Sequence, residues 1–198
     1  MAVELEMVAD YACVTGEGPL WHAQEQCLYW LDIPKGRLFR FDPATGRHAM
    51  LLEGDAIGGF TVQADGALLL FGARGAIKVW RNGTVTSLYD ELPGEQATRF
   101  NDVIADPEGR VFCGTMGIPG RPGRLYRLDL DGSLVDVVHG VGVSNGLGFT
   151  PDRRQMYYTD TTAGDISIFD YDQETGAIGN RRLFARVPSG SSEGMPDG

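Results

Sequence analysis

Long apolar runs, paired cysteines and an excess of basic charge are all missing from this 198-residue chain. No stretch approaches the ~18 apolar residues that cross a membrane as a helix, so no membrane partner is expected. Lys and Arg number 17 against 27 Asp and Glu, a net charge of −10. Neutralising phosphates takes a basic face, and this balance argues against a nucleic-acid partner. The three cysteines, Cys13, Cys27 and Cys113, are odd in number and lack C-x-x-C spacing. Neither a disulfide framework nor a zinc site is expected of them, and each reads as a small apolar core residue. The opening MAVELEMVADYACV is acidic where an export signal has a basic start and an apolar centre, so the expected location is cytoplasmic.

Glycine, by contrast, is plentiful, with 28 residues. Abundant glycine with little helical patterning favours an all-β fold of short strands and tight turns. The turns fall into a repeat. Gly36–Asp42, Gly75–Trp80, Gly123–Asp129 and Gly164–Asp170 each alternate apolar and polar residues, the period of a half-buried strand. Each run leads into a turn: Asp42-Pro43-Ala44-Thr45-Gly46, Asn82-Gly83, Asp131-Gly132 and Asp172-Gln173-Glu174-Thr175-Gly176. A whole unit recurring every ~40 to 50 residues, with several strands in each, is the signature of a β-propeller. A sandwich or barrel also uses short strands but does not repeat the unit. Residues 1–198 therefore read as one partial propeller domain of four blades and the start of a fifth.

The first strands of the units align as Glu17–Trp21, Gly58–Val62, Asn101–Ala105 and Asn145–Phe149, with Asp197 opening the next. The phase has an independent check. Tyr29-Trp30-Leu31-Asp32 lies at the same offset from Glu17 as Tyr157-Tyr158-Thr159-Asp160 does from Asn145. First strands line a propeller's axis, so Glu17, Asn101, Asn145 and Asp197 are expected to converge at the channel. Carboxylate and amide oxygens together suit one hard divalent cation, Ca²⁺, Mg²⁺ or Mn²⁺.

Three motif matches do not survive inspection. Gly142-Val143-Ser144-Asn145-Gly146 fits the G-x-S-x-G nucleophile elbow, yet a strand follows it and no histidine comes after Ser144. Asp170-x-Asp172-x-Glu174 starts like an EF-hand, but its glycine is one place late and Arg181 stands where the closing Glu belongs. Asn82-Gly83-Thr84 matches a glycosylation acceptor and equally well a type I′ turn.

On Gly16-Glu17-Gly18-Pro19-Leu20-Trp21, Arg99-Phe100-Asn101-Asp102, Gly114-Thr115-Met116, Ser144-Asn145-Gly146-Leu147 and Pro196-Asp197-Gly198, the chain resembles the SMP-30/gluconolactonase/luciferin-regenerating family, which includes regucalcin. The resemblance implies a six-bladed propeller with one divalent cation (Ca, Zn, Mn or Mg) in its channel, and hydrolysis of a small sugar lactone. Carried over residue by residue, Glu17, Asn145 and Asp197 match the metal ligands, Asp197 also the general base, and Arg99 and Asn101 the substrate contacts. Some members place a carboxylate just after Gly-Thr-Met; here Gly117–Gly123 offers none, so the lactone preferred is expected to differ. Family members are longer by about two blades. An open propeller exposes strand edges that favour pairing with another copy. Two further readings stand beside the lactonase: a non-catalytic Ca²⁺-binding propeller, and an inactive truncated fragment.

Overall fold

The computed structural model describes residues 4–187 and 194–197. Sixteen strands form four antiparallel sheets, each a meander of four consecutive strands. Blade 1 holds β1 (Gly16–His22), β2 (Cys27–Asp32), β3 (Arg37–Asp42) and β4 (Arg47–Leu52). Blade 2 holds β5 (Ile57–Val62), β6 (Leu68–Gly72), β7 (Ile77–Arg81) and β8 (Thr84–Tyr89). Blade 3 holds β9 (Phe100–Ala105), β10 (Val111–Thr115), β11 (Gly123–Leu128) and β12 (Leu134–Val141). Blade 4 holds β13 (Ser144–Phe149), β14 (Gln155–Asp160), β15 (Asp165–Tyr171) and β16 (Ile178–Arg186). The only helical turn among the described residues is a 3₁₀ turn at Ile33–Lys35, and no helix there is long and apolar enough to cross a membrane.

This is the expected β-propeller arrangement. The four alternating runs became β3, β7, β11 and β15, and Asn82 and Gly83 take the positive φ values, 50° and 85°, of the turn between β7 and β8. The acidic run after Asp170 is a hairpin turn, closed where Gly176 N–H donates to Asp172 O at 2.8 Å.

The alternation of each strand decides which neighbour it packs against. In β6, Leu68 and Leu70 face blade 1, joining Tyr29, Leu31, Leu38 and Phe60. Leu69 and Phe71, on the other face, join Phe100, Val111 and Tyr126 of blade 3. Blade 3 splits in the same way, with Val111 and Cys113 turned to blade 2 and Phe112 turned to Met156 and Tyr158 of blade 4. Stacked sheets thus share three apolar layers, the stabilisation that isolated four-stranded meanders lack.

Blades 2 and 3 meet most closely at the axis. A Cβ on Gly58 would lie 1.9 Å from Phe100 O, and one on Gly59 would lie 2.8 Å from Val103 Cγ2. Glycine at these two positions lets β5 press against β9. Cys27 and Cys113 are core residues, as expected; Cys13 is only half-buried, because it lies in the segment that approaches blade 1 rather than inside a blade. In that segment, Tyr11 stacks on Phe39 at 4.4 Å and bonds His48 Nδ1 at 2.8 Å. The far face of blade 4 is more open, with Leu183 and Phe184 on β16 exposed.

Candidate functional site

Three of the aligned residues, Glu17, Asn101 and Asn145, lie on the first strands β1, β9 and β13. Gly16 faces Asp32 and Ser144 faces Asp160 in register, so Glu17 and Asn145 occupy equivalent places in blades 1 and 4. Just past these places every first strand slips register: between Glu17 and Leu20, Ile57 and Gly59, Phe100 and Val103, and Asn145 and Leu147. Such bulges kink the strand and re-aim side chains out of strict alternation.

Asn145 is the centre of a small clasp. Its Nδ2 donates to Thr161 Oγ1 at 3.1 Å and to Asp197 Oδ1. Thr161 Oγ1 in turn donates to Pro196 O at 2.8 Å. The stretch carrying Asp197 is thereby tied to β13 and the turn after β14. Gly146 makes room for it, since a Cβ there would lie 2.6 Å from Asp197 O. Glu17 is exposed at the start of β1 and accepts from Gly18 N–H at 3.2 Å.

Asn101 is occupied on both sides. Its Oδ1 accepts from Arg99 Nη1 at 2.8 Å, and its Nδ2 donates to Ser144 O at 2.9 Å. In this arrangement it ties Arg99 and the start of β13 together, with one hydrogen bond on each side of the amide. Arg99 also donates to Phe100 O at 2.9 Å. Burial pushes its guanidinium below the ordinary arginine value. Among the described residues it is the one arginine that is neither exposed nor in an ion pair.

Sequence reasoning passed over Asp102. Its carboxyl is raised above the usual range by burial first, and further by the charges of Glu17 and Asp197. It accepts Val103 N–H at 2.8 Å and also the N–H of Leu147 in blade 4. Strict alternation assigned Asn101 to the channel and Asp102 to the opposite face; the register slip beyond Phe100 overrides that rule.

The Asp102 carboxyl thus feels the charges of both Glu17 and Asp197, and none of the three has an ion-pair partner among the described residues. Uncompensated carboxylates beside an amide oxygen are an all-oxygen donor set that fits a hard divalent cation. Within the described residues no three His, Cys, Asp or Glu side chains lie close enough to form a metal cluster by themselves. Asn145 Oδ1 is the remaining donor and accepts only the N–H of Gly146, at 3.3 Å.

Residues outside the channel behave as expected. Ser144 is fully buried, and a Cβ on Gly114 would lie 1.7 Å from its Oγ, so no substrate reaches that hydroxyl. His22 is buried beside Gly66 O, and His48 is engaged with Tyr11. The Gly117–Gly123 loop has no carboxylate. Instead Arg121 carries it to Glu95, with Nη2 at 3.5 Å from Oε2, while Glu95 Oε1 accepts from Tyr126 OH at 2.8 Å.

Comparison with known proteins gives the family and the fold. A pentonolactonase of Haloferax volcanii is 48% identical over 191 residues, covering 96% of this chain and 64% of that protein. Regucalcin of Gallus gallus is 33% identical, covering 100% of this chain and 68% of its own length. A solved gluconolactonase of Xanthomonas campestris superposes with a TM-score of 0.76 at 28% identity, covering 93% of this chain and 66% of that one. The chain thus spans about two thirds of the length of the relatives it matches. Residues 15–198 match the SMP-30/Gluconolactonase/LRE-like region, and the chain belongs to that family.

Proposed function

We propose that this chain carries the ligand-bearing part of a divalent-metal-dependent sugar lactonase. The observation that supports the reading most directly is the group formed by Glu17, Asp102, Asn145 and Asp197, three carboxylates and an amide, the carboxylates having no ion-pair partner among the described residues. Relatives named pentonolactonase, at 48% identity, and 6-deoxy-6-sulfogluconolactonase of Pseudomonas putida, at 35%, point to lactones as the substrate class.

Glu17, Asn145 Oδ1 and Asp197 would hold the cation. When bound it supplies Lewis-acid polarisation of the lactone carbonyl. Asp197 takes a proton from the attacking water as the water oxygen bonds to the carbonyl carbon. The ring C–O bond then breaks and the same proton passes to the departing ring oxygen, leaving a hydroxyl and a carboxylic acid that releases water's second proton to solvent to become the carboxylate. Arg99, anchored through Nη1, keeps its outer guanidinium edge for ring hydroxyls, and Asn101 acts by fixing Arg99. The absence of a carboxylate in Gly117–Gly123 fits a lactone with fewer hydroxyls to bind than gluconolactone.

The test is hydrolysis of pentono- and gluconolactones by the purified chain with Ca²⁺, Mn²⁺, Mg²⁺ or Zn²⁺. Glu17→Ala is expected to abolish turnover, and hydrolysis that persists in chelator sinks the metal-dependent reading. Calorimetric cation binding without turnover on any lactone would favour the Ca²⁺-binding propeller instead.

A further inference from the structure

The second strands of the four blades end differently. In the register that aligns the blades, Asp32 ends β2, Gly72 ends β6, Thr115 ends β10 and Asp160 ends β14. Asp32 is fully buried and Asp160 is 6% exposed, and neither has an ion-pair partner among the described residues. A buried carboxylate without a counter-ion costs free energy unless several donors satisfy it.

Both find their donors at the same places. Asp32 Oδ1 accepts the N–H groups of Val14 and Thr15, each at 3.1 Å. Asp160 accepts Gly142 N–H at 2.9 Å and Val143 N–H at 3.2 Å, and also Ala163 N–H at 3.3 Å. Val14 and Thr15 stand three and two residues before Glu17; Gly142 and Val143 stand three and two residues before Asn145.

Strand pairing alone does not require these carboxylates. All four blades share one backbone bond at this point: Ile33 N–H to Thr15 O, Ala73 N–H to Ala56 O, Met116 N–H to Arg99 O and Thr161 N–H to Val143 O, at 3.0, 2.9, 3.1 and 3.0 Å. Blades 2 and 3 manage with that bond, and Thr115 Oγ1 turns instead to Arg124 N–H at 3.1 Å. The added carboxylate grip occurs in blades 1 and 4, the two that carry Glu17 and Asn145.

We infer that Asp32 and Asp160 are positioning residues for the cation site, each clamping the two peptide N–H groups that lead into a ligand. The inference rests on the reading of Glu17 and Asn145 as ligands. Each clamp lies just ahead of a register slip, where the backbone is least constrained by the ladder and a small rotation would carry the ligand oxygen off the cation. Supporting residues of this kind set metal affinity by about 10–100-fold.

Asp32→Asn and Asp160→Asn test the inference, with Asp106→Asn as the control. Asp106 is an equally buried acid, 5% exposed, that accepts Glu108 and Arg110 N–H groups in the blade 3 turn, away from Glu17 and Asn145. Ca²⁺ affinity is measured by calorimetry, Tm by thermal melts, and the Asn145 side-chain amide by NMR in cation-free protein. D32N and D160N are expected to weaken Ca²⁺ binding about tenfold or more. D106N is expected to lower Tm at least as much while leaving affinity within about twofold. Affinity losses that simply follow Tm across all three variants overturn the inference. If the wild type binds no cation, the ligand reading falls, and the Asn145 amide decides: a shift in D160N but not D106N supports positioning, and no shift refutes it. Should D160N fail to fold, D32N carries the test through Ca²⁺ affinity and its shift of Leu31 and Gly18 amides. Asp32 Oδ2 has no hydrogen-bond partner among the described residues, so that substitution disturbs least.

Discussion

Blades 2 and 3 hold the molecule together, while blades 1 and 4 supply Glu17 and Asn145, two of the candidate ligands. The middle blades bury both faces, and their aligned positions are Gly58, which exists to let β5 touch β9, and Asn101, which is spent on neighbours. The outer blades each bury one face against a neighbouring blade, yet they supply Glu17 and Asn145, each backed by a buried aspartate. Burial on both faces and the candidate ligands Glu17 and Asn145 thus fall to different copies of one repeat. A propeller allows that division because every copy presents the same strand to the same channel, whatever its flanks are doing.

The division can be broken or sharpened by substitution. Phe71→Ala, which empties a fully buried place between blades 2 and 3, is expected to cost about 3–5 kcal/mol in denaturant unfolding. A cost below about 1 kcal/mol would mean that the middle blades are not the stabilising unit. Gly58→Ala comes next: a methyl 1.9 Å from Phe100 O must force β5 and β9 apart, at about 1–3 kcal/mol. Asn145→Ala loses hydrogen bonds to Thr161 and Asp197 and is expected to cost about 1 kcal/mol without cation. Its diagnostic effect is loss of the rise in Tm on adding Ca²⁺, which Phe71→Ala should retain at reduced temperature. On the open face of blade 4, Phe184→Ser is expected to stay within about 0.5 kcal/mol of the parent.

The smallest effect belongs to Asp170, on the outer strands of blade 4. Arg182 and then Asn180 hold its carboxyl down to about 2. A depressed folded pKa stabilises above the unfolded carboxylate value near ~3.9, and the contribution is lost as pH falls towards 2. Asp170→Asn should therefore lower Tm slightly at pH 7, have almost no effect at pH 2, and so flatten the fall between pH 4 and 2. A fully exposed pair promises no more than that.

Much of this was legible beforehand because propeller repeats write themselves as local rules. The alternation in Arg37–Asp42 or Gly123–Leu128 and the glycines of the turns fix strands and their phase without any distant contact. Placing Glu17 and Asn145 at equivalent sites needed only that phase. What escaped depends on three-dimensional exceptions to it. Asp102 faces the acidic group because a bulge cancels alternation, and no single-sequence rule places a bulge. The bond of Asn101 to Ser144 O likewise crosses between segments that no local pattern brings together. The clamps of Asp32 and Asp160 show only once burial is known, since a strand-ending aspartate otherwise reads as a turn residue.

The consecutive order of strands in every sheet also bears on how the chain reaches its final form. Each blade is built from hairpins between sequence neighbours, so it can assemble as its own residues emerge, without awaiting a remote partner. The slow event is then the seating of finished meanders side by side. For the central pair, Gly58 and Gly59 set how near that seating must bring β5 to β9, since any side chain at either place would hold the two strands apart.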